Sequence, residues 1–359
     1  MSKEKLYSIQ ALRAVAASSV VIFHVMKMLS HNAGYTLNAP DVLASGVDLF
    51  FLISGFILVN TSYDAFKKPN ASIDFLARRI IRVAPLYWLC TTAIILPLVF
   101  APQLFSSIVF KKDIVISSYF FVLAKNSVGD IGTVLQTGWT LCYEFYFYIV
   151  LSVLLLLPRK FFLAMLALIF LSGISLGYVT PELPVWTNVF TNPLTLEFLI
   201  GAVIAFVFKM EIEVPNIISA VFFLVSLFFL FGLPTFFDLG SWTRLVMWGL
   251  PYSFILFACI SVEKKGVIIP QFLVSLGDSS YTLYLFHPFI LPILGKVWFT
   301  QKLTEKFNPS VLGIIAFSLS LGIAEILYIW IEKPVTAYLS TLWRTKNEKT
   351  VDGGFEKKF

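Results

Sequence analysis

Ten stretches of this chain are apolar and long enough to cross a lipid bilayer. A spanning helix needs about 20 mostly apolar residues, because each residue advances the helix by ~1.5 Å through a hydrocarbon core of about 30 Å. We therefore predict an all-α polytopic membrane protein of about ten transmembrane helices. The apolar runs fall roughly at residues 8–28, 43–62, 84–102, 139–157, 161–179, 194–210, 215–233, 243–262, 279–299 and 309–331.

The composition agrees with a membrane protein and excludes other classes. Charged residues make up 13% of the chain, whereas soluble domains carry about 25%. No basic stretch alternates with stacking aromatic residues in a soluble region, so we predict no nucleic-acid partner. The three cysteines, Cys90, Cys142 and Cys259, lie in apolar runs without CxxC spacing. We therefore predict neither a disulfide nor a metal site.

The lysines and arginines predict how the chain is oriented. If the N-terminus lies in the cytosol, most of the 27 basic residues fall in cytosolic segments, as the positive-inside rule requires. Both termini are then cytosolic. We predict one integral membrane domain over residues 1–342 and a charged cytosolic tail over 343–359. Residues 114–124 are apolar but too short to span, which predicts an interfacial or re-entrant piece.

Two ionisable residues lie inside the first apolar run. Arg13 and His24 have ten residues between them, and eleven helical steps of ~100° place both side chains on one face. Ionisable residues within a membrane usually face a cavity or a partner, which makes these two candidates for a functional site. The alternative is an arginine that reaches the interface and a histidine that is hydrogen-bonded inside the bundle.

His24 shares its predicted depth in the membrane with two carboxylates, Asp48 and Glu144. A histidine oriented by a buried carboxylate can take the proton of an alcohol while the oxygen attacks a thioester. We predict that His24, Glu144 and Asp48 are catalytic, with one of the carboxylates orienting the imidazole. The alternative is a purely structural hydrogen bond between the histidine and a carboxylate.

A pair of arginines lies near the predicted cytosolic surface. Arg79 and Arg82 are three residues apart, so a helix places them side by side. Guanidinium groups present forked donors that suit phosphate oxygens, which predicts a docking site for a nucleotide-bearing cofactor. The alternative is an ordinary positive cluster at the cytosolic interface.

These residues lie in six motifs that follow one another over nearly the whole chain. With these motifs the chain resembles the membrane-bound acyltransferase 3 family, which O-acylates bacterial envelope and secreted polysaccharides. The motifs are Leu12-Arg13 with Phe23-His24, G-V-D-L-F-F-L-I-S-G from Gly46 to Gly55, R-R-I-I-R-V-A-P from Arg78 to Pro85, W-T-L-C-Y-E-F from Trp139, S-L-G-D-S-S-Y-T-L-Y-L-F-H-P from Ser275 to Pro288, and Glu332-Lys333-Pro334.

The resemblance implies an essential His24 and Arg13, with Arg79 and Arg82 contacting acyl-CoA, most simply acetyl-CoA. It implies a multi-pass O-acetyltransferase of the bacterial inner membrane, with membrane lipid as a partner. Its acceptor would be a sugar hydroxyl of a lipid-linked or nascent polysaccharide such as O-antigen or exopolysaccharide. A weaker expectation is that further side chains line the substrate cavity: Trp139, Tyr281 and His287.

A transporter or flippase of a lipid-linked saccharide is the rival interpretation. Ten helices around a polar pathway would serve that function equally well. It gives no reason for an arginine pair at the inner mouth, and it needs no thioester donor. The oligomeric state is left open by the sequence.

Overall fold

Helices account for nearly all of the regular structure, as the apolar runs predict. The structure, a computed structural model, describes residues 6–33, 38–100, 111–126, 129–180, 182–212, 214–232 and 240–355. The helices are α1 (Tyr7–Ala33), α2 (Gly46–Ser62), α3 (Ala71–Phe100), α4 (Lys112–Tyr119), α5 (Trp139–Leu154), α6 (Phe162–Val179), α7 (Asn188–Thr191), α8 (Thr195–Lys209), α9 (Asn216–Gly232), α10 (Ser241–Arg244), α11 (Leu250–Glu263), α12 (Gln271–Asp278), α13 (Ser280–Thr300), α14 (Pro309–Leu327) and α15 (Lys333–Phe355).

Shorter elements join these helices. Two π-helical turns, Leu245–Gly249 and Tyr328–Glu332, connect α10 to α11 and α14 to α15. The only strands among the described residues are β1 (Ala124–Lys125) and β2 (Ile131–Gly132), which pair antiparallel with Ala124 opposite Gly132. The 3₁₀ turns are Asp41–Leu43, Gln136–Gly138, Arg159–Phe161, Val185–Thr187 and Leu303–Glu305.

Each of the ten predicted runs contains a helix. In the part of the chain that the structure describes, eight helical segments are long and apolar enough to cross a membrane. The other two runs correspond to α5, with 16 residues, and α9, with 17 residues. The fold is therefore the predicted all-α polytopic membrane protein. The predicted domain boundary at residue 342 falls within α15 and stays a prediction, as does the orientation.

Helix α3 begins well before the predicted run at residue 84. It starts at Ala71 and includes Arg79 and Arg82, so the arginine pair lies on its third and fourth turns rather than at its start. The predicted apolar run does not extend over these turns because they are amphipathic. Pro85 and Pro97 lie inside the helix, which a bundle tolerates where neighbouring groups satisfy the freed carbonyls.

The lipid-facing and core-facing surfaces of the bundle differ in how they use apolar residues. Large apolar side chains of α6 and α9 point outward, including Leu168, Leu224, Phe228 and Phe231. Such a surface suits lipid and would aggregate in water. Helix α2 is the opposite case, because most of its side chains are buried. It packs against α1 and α8 and forms the centre of the bundle.

Two glycines allow α2 and α8 to approach closely. A Cβ atom at Gly55 would overlap the carbonyl oxygen of Phe198, and one at Gly201 would overlap the carbonyl oxygen of Leu52. Small residues at such crossings let helix backbones come together in a membrane. The crossing of α2 and α8 therefore requires a glycine at position 55.

We expect Gly55→Ala to lower the free energy of unfolding by about 1–3 kcal/mol, because the methyl group forces α2 and α8 apart. Gly322→Ala is the matched control, since nothing lies within 4 Å of a Cβ at that position in α14. The control should be neutral or slightly stabilising. Thermal unfolding in detergent measures both variants, and equal melting temperatures would contradict this account of the crossing.

Candidate active site

A cavity of about 150 Å³ lies between α1, α2, α3, α5 and α13. Three arginines contribute to its wall, Arg13 from α1 and Arg79 and Arg82 from α3. The rest of its polar lining comes from α2, α5 and α13. These residues are Ser54 of α2, Thr140, Glu144 and Tyr148 of α5, and Tyr281 and Tyr284 of α13. The cavity therefore brings together four of the residues that the sequence predicts as catalytic or cofactor-binding, and the predicted Tyr281.

The three arginines are held in different ways. The guanidinium of Arg13 contacts the side-chain oxygen of Gln10 at 3.4 Å. Arg82 forms an ion pair with Glu332, which is almost fully buried and also accepts from Thr282. Arg79 lies 5.9 Å from the centre of the Phe75 ring, and its buried Nε has no hydrogen-bond partner among the described residues. Arg79 thus has a buried donor that is available to a ligand.

Glu144 belongs to this arginine cluster. Its carboxylate accepts from the Ser54 hydroxyl at 3.1 Å and from the Tyr148 hydroxyl. It also lies within electrostatic range of Arg13 and Arg79. The carboxylate is therefore fixed at the wall of the cavity, where it balances part of the positive charge.

His24 and His287 form a hydrogen-bonded pair. Nε2 of His287 lies 3.1 Å from Nδ1 of His24, and the ring centres are 5.0 Å apart. His287 is 1% exposed, and His24 is half-buried. Tyr284 lines the cavity, and its ring centre lies 6.1 Å from that of His287. The pair thus adjoins the wall of the cavity through Tyr284.

Two backbone carbonyls assign the protons of this pair. The Nδ1 of His287 is 3.0 Å from the carbonyl oxygen of Leu283, and a carbonyl only accepts, so this nitrogen carries the proton. The Nε2 of a neutral His287 is then an acceptor. Nδ1 of His24 faces that acceptor and also lies 3.0 Å from the carbonyl oxygen of Val20, so it donates. The assignment leaves Nε2 of His24 as an unprotonated nitrogen that can accept a proton.

The predicted orientation of His24 by Asp48 or Glu144 needs correction. The ring partner of His24 is His287. The shared depth was a poor guide because α1 packs beside α13 and α2, whereas the carboxylate of Glu144 on α5 turns toward Ser54 and Tyr148. His24 and His287 also lie outside the lining of the cavity. His287 therefore does not line the cavity as the sequence predicts but contacts His24 instead.

Asp48 has a different role from the predicted one. Both of its oxygens accept from Arg244, whose Nε and terminal nitrogen are each 2.8 Å away. Glu197 is fully buried beside Asp48 and Arg244. The guanidinium carbon of Arg244 lies 5.3 Å from the centre of the Trp248 ring. This cluster ties α2 to α8 and α10. Asp48 is thus a structural anchor rather than a group of the cavity.

Trp139 also lies outside the cavity. Its ring makes edge contacts with Phe51 at 6.5 Å and with Tyr143 at 5.8 Å. These contacts place it in the aromatic core where α5 begins. The expectation that it lines the substrate cavity is therefore not supported.

Sequence reasoning missed several residues of these sites. Tyr148 lies four residues after Glu144, a spacing that brings two side chains together on a helix and could have found it. Arg244 is a lone cation at the start of an apolar run, which is a sign of a buried partner. Ser54 precedes the last glycine of the second motif, and its hydroxyl donates to Glu144. In the described ranges, no group of three His, Cys, Asp or Glu side chains could hold a metal ion.

Comparison with known proteins identifies the family. An acyltransferase domain profile, that of acyltransferase 3, matches residues 6–329. The exopolysaccharide production protein ExoZ of Rhizobium meliloti (strain 1021) is 29% identical over 320 residues, which cover 86% of this chain and 94% of ExoZ. The peptidoglycan O-acetyltransferase OatA of Listeria monocytogenes is 24% identical over 374 residues, which cover 93% of this chain and 56% of OatA.

No solved structure matches this chain. The profile match over most of the chain decides between the two classes that the sequence left open, because it favours an enzyme over a transporter. The chain belongs to the acyltransferase 3 family, and it is a multi-pass membrane acyltransferase.

Proposed function

We propose that this enzyme transfers an acyl group, most simply acetyl, from acyl-CoA to a sugar hydroxyl of a bacterial surface or secreted polysaccharide. The acceptor would be a lipid-linked or nascent chain, such as exopolysaccharide or O-antigen, at the bacterial inner membrane. The relatives ExoZ and OatA, named for exopolysaccharide production and peptidoglycan O-acetylation, support this class of acceptor.

The observation that carries the proposal is the convergence of Arg13, Arg79 and Arg82 on one cavity. Three guanidinium groups at a buried wall are costly unless an anion meets them. Glu144, together with Glu332 as the partner of Arg82, supplies two negative charges against three positive ones. Phosphate oxygens suit their forked donors. The phosphate groups of acyl-CoA are the anions that an acyltransferase would bring there. We propose that Glu144, held by Ser54 and Tyr148, positions the guanidiniums.

In this proposal His24 is the general base. Its unprotonated Nε2 removes the proton from the acceptor hydroxyl while that oxygen attacks the carbonyl carbon of the thioester. The carbon–sulfur bond then breaks, and the CoA sulfur leaves with the electron pair. The proton held by His24 passes to this sulfur, so that an ester and a free thiol are the products. His287 positions the ring and keeps the proton of His24 on Nδ1.

The donor site predicts a specific kinetic effect for Arg79. We expect Arg79→Ala to raise KM for acetyl-CoA by roughly tenfold to a hundredfold, the loss of one charge-assisted hydrogen bond. The kcat at saturating donor should change little, because the lost contact is made equally in the ground state and the transition state. Initial rates with purified protein at varied acetyl-CoA concentration measure both constants.

Arg78→Ala is the matched control for this test. Arg78 is the exposed neighbour on the same helix and lies outside the cavity. Its removal lowers the net charge by the same amount and should leave KM unchanged. Equal KM values for Arg79→Ala and wild type would remove the donor site from this cavity.

His287 should act on turnover through His24. We expect His287→Phe to lower kcat at least about tenfold, part of the 10²–10⁴-fold that general base catalysis supplies. KM for acetyl-CoA should be unchanged. His287→Gln keeps a side-chain oxygen that can accept from His24, so it should recover most of the rate. If His287→Phe and His287→Gln have the same kcat, the role of His287 is limited to packing.

A further inference from the structure

A second recess, of about 640 Å³, lies at the end of the bundle where α2 and α5 finish. The turn after α2 and the connection between α5 and α6 line it, together with Phe206 of α8. Four basic residues face it, and Asp64 is its only acid. We call it the basic recess, defined by its basic residues Lys67, Lys68, Arg159 and Lys160.

Aromatic rings form a firm floor for the basic recess. Tyr63 packs edge-on against Phe206 with ring centres 5.2 Å apart, and Phe206 stacks on Phe162 at 5.9 Å. Phe66 packs edge-on against the same Phe162 at 5.2 Å. Interlocked rings of this kind lose little freedom when a ligand binds. The floor offers a flat, half-buried apolar surface beneath the cations.

The single acid of the basic recess is already engaged. Arg159 lies 3.7 Å from an oxygen of Asp64, donates to the carbonyl oxygen of Tyr63 at 3.3 Å, and covers the Tyr63 ring at 4.1 Å. Across the described ranges, Lys67 and Lys68 have no carboxylate within ion-pair distance. The same holds for Lys160, so three ammonium groups of the recess have no carboxylate partner within the described part of the chain.

The backbone that carries these lysines is held in a costly conformation. Lys67 adopts a left-handed φ of 60°, which is uncommon for a residue with a side chain. Its N–H donates to the carbonyl oxygen of Leu155 at 2.8 Å, which fastens the turn to the end of α5. Such strain persists only where the surroundings fix it, and it is concentrated at functional positions. An ordinary cytosolic loop needs positive charge but no such fixed turn.

We propose that the basic recess binds a phosphate group, with its lysines around the phosphate oxygens. A doubly charged phosphate matches several ammonium groups better than a single carboxylate does. The recess lies beyond the cavity on α2, because Tyr63 follows the cavity residue Leu58 by about 7.5 Å of helix. A phosphate there comes either from the nucleotide end of the acyl donor, which rests on the proposed function, or from an anionic lipid headgroup.

A binding experiment separates these sources without any acyl transfer. The full chain in neutral detergent is titrated with adenosine 3′,5′-bisphosphate, as wild type, as Lys67→Ala/Lys68→Ala and as Lys302→Ala/Lys306→Ala. The last is the matched control, because it removes two exposed lysines in the connection between α13 and α14. We expect the first double variant to weaken binding about tenfold, the effect of losing two exposed ion pairs, and the control to bind as wild type does.

A second experiment tests whether the phosphate comes from an anionic lipid. Thermal unfolding is measured in nanodiscs of phosphatidylcholine with and without phosphatidylglycerol. If the phosphate comes from lipid, the Lys67/Lys68 variant keeps its nucleotide affinity but loses the stabilisation by phosphatidylglycerol. If the variant matches wild type in both arms, the phosphate site is overturned. Wild type that binds the bisphosphate but transfers no acetyl group would overturn the proposed function alone.

Discussion

Replacing His24 with alanine is expected to slow acyl transfer by about a hundredfold to ten-thousandfold while the protein stays folded. This is the range that a positioned general base supplies. The neighbours of His24 support the expectation, because Val20 and His287 hold its Nδ1 and leave Nε2 for the substrate. Half-burial of the ring means that its loss leaves a small gap, which a helix in a bundle can tolerate.

A conservative variant separates the base from the fold. In His24→Asn the side-chain amide can still donate to His287, but it cannot take up a proton from the acceptor. We expect this variant to be as slow as the alanine variant and as stable as wild type. Val15→Ala, an exposed change on α1 away from His24 and outside the cavity, should have wild-type rates. Acyl-transfer rates of the wild type, the two His24 variants and the control are compared at matched protein concentration. A His24→Asn enzyme as fast as wild type would exclude His24 as the base.

The second large effect concerns stability. We expect Arg244→Met to lower the free energy of unfolding by about 3–5 kcal/mol, the usual result of removing one partner of a buried ion pair. Asp48 and Glu197 are both fully buried, and Asp48 accepts two hydrogen bonds of 2.8 Å from Arg244. Without the guanidinium, two carboxylates face each other in an apolar core. The connection of α2 to α8 and α10 is lost with them.

A double-mutant cycle tests the same cluster more sharply. Asp48→Asn removes the negative charge, so Asp48→Asn/Arg244→Met should be more stable than Arg244→Met alone. Unfolding by denaturant in mixed micelles measures the three variants against wild type. Additive effects of the two substitutions would contradict the ion pair. Measured rates at permissive temperature should stay close to wild type, because Asp48 lies outside the cavity.

The sequence allowed the helices to be predicted because each apolar run is longer than most buried helices of soluble proteins. The start of α3 was missed for the opposite reason. Residues from Ala71 to Arg82 mix charged and apolar side chains, so the uniformly apolar run begins only at residue 84. The spacing of Arg79 and Arg82 indicates a helix there, but nothing in the apolar pattern indicates that it begins as early as Ala71. Amphipathic turns at the end of a span are where an apolar pattern fails.

The cavity was predictable in its charges but not in its pairings. Arg13, Arg79, Arg82 and Glu144 stand out because ionisable residues in apolar runs are rare, and all four line the cavity. Depth along a helix follows from counting residues. The direction in which a side chain points around the bundle does not follow from such a count. This direction determines that His24 contacts His287 and that Asp48 contacts Arg244. These partners lie 263 and 196 residues apart in the chain.

The most direct measurement of the central claim follows a labelled acetyl group. Membranes containing wild type or His24→Ala at equal level are given radiolabelled acetyl-CoA and the native envelope polysaccharide. We predict label in the polysaccharide fraction with wild type and none above background with the variant. Equal labelling by the two membranes would contradict the role of His24, and no labelling by wild type would contradict acyl-CoA as the donor.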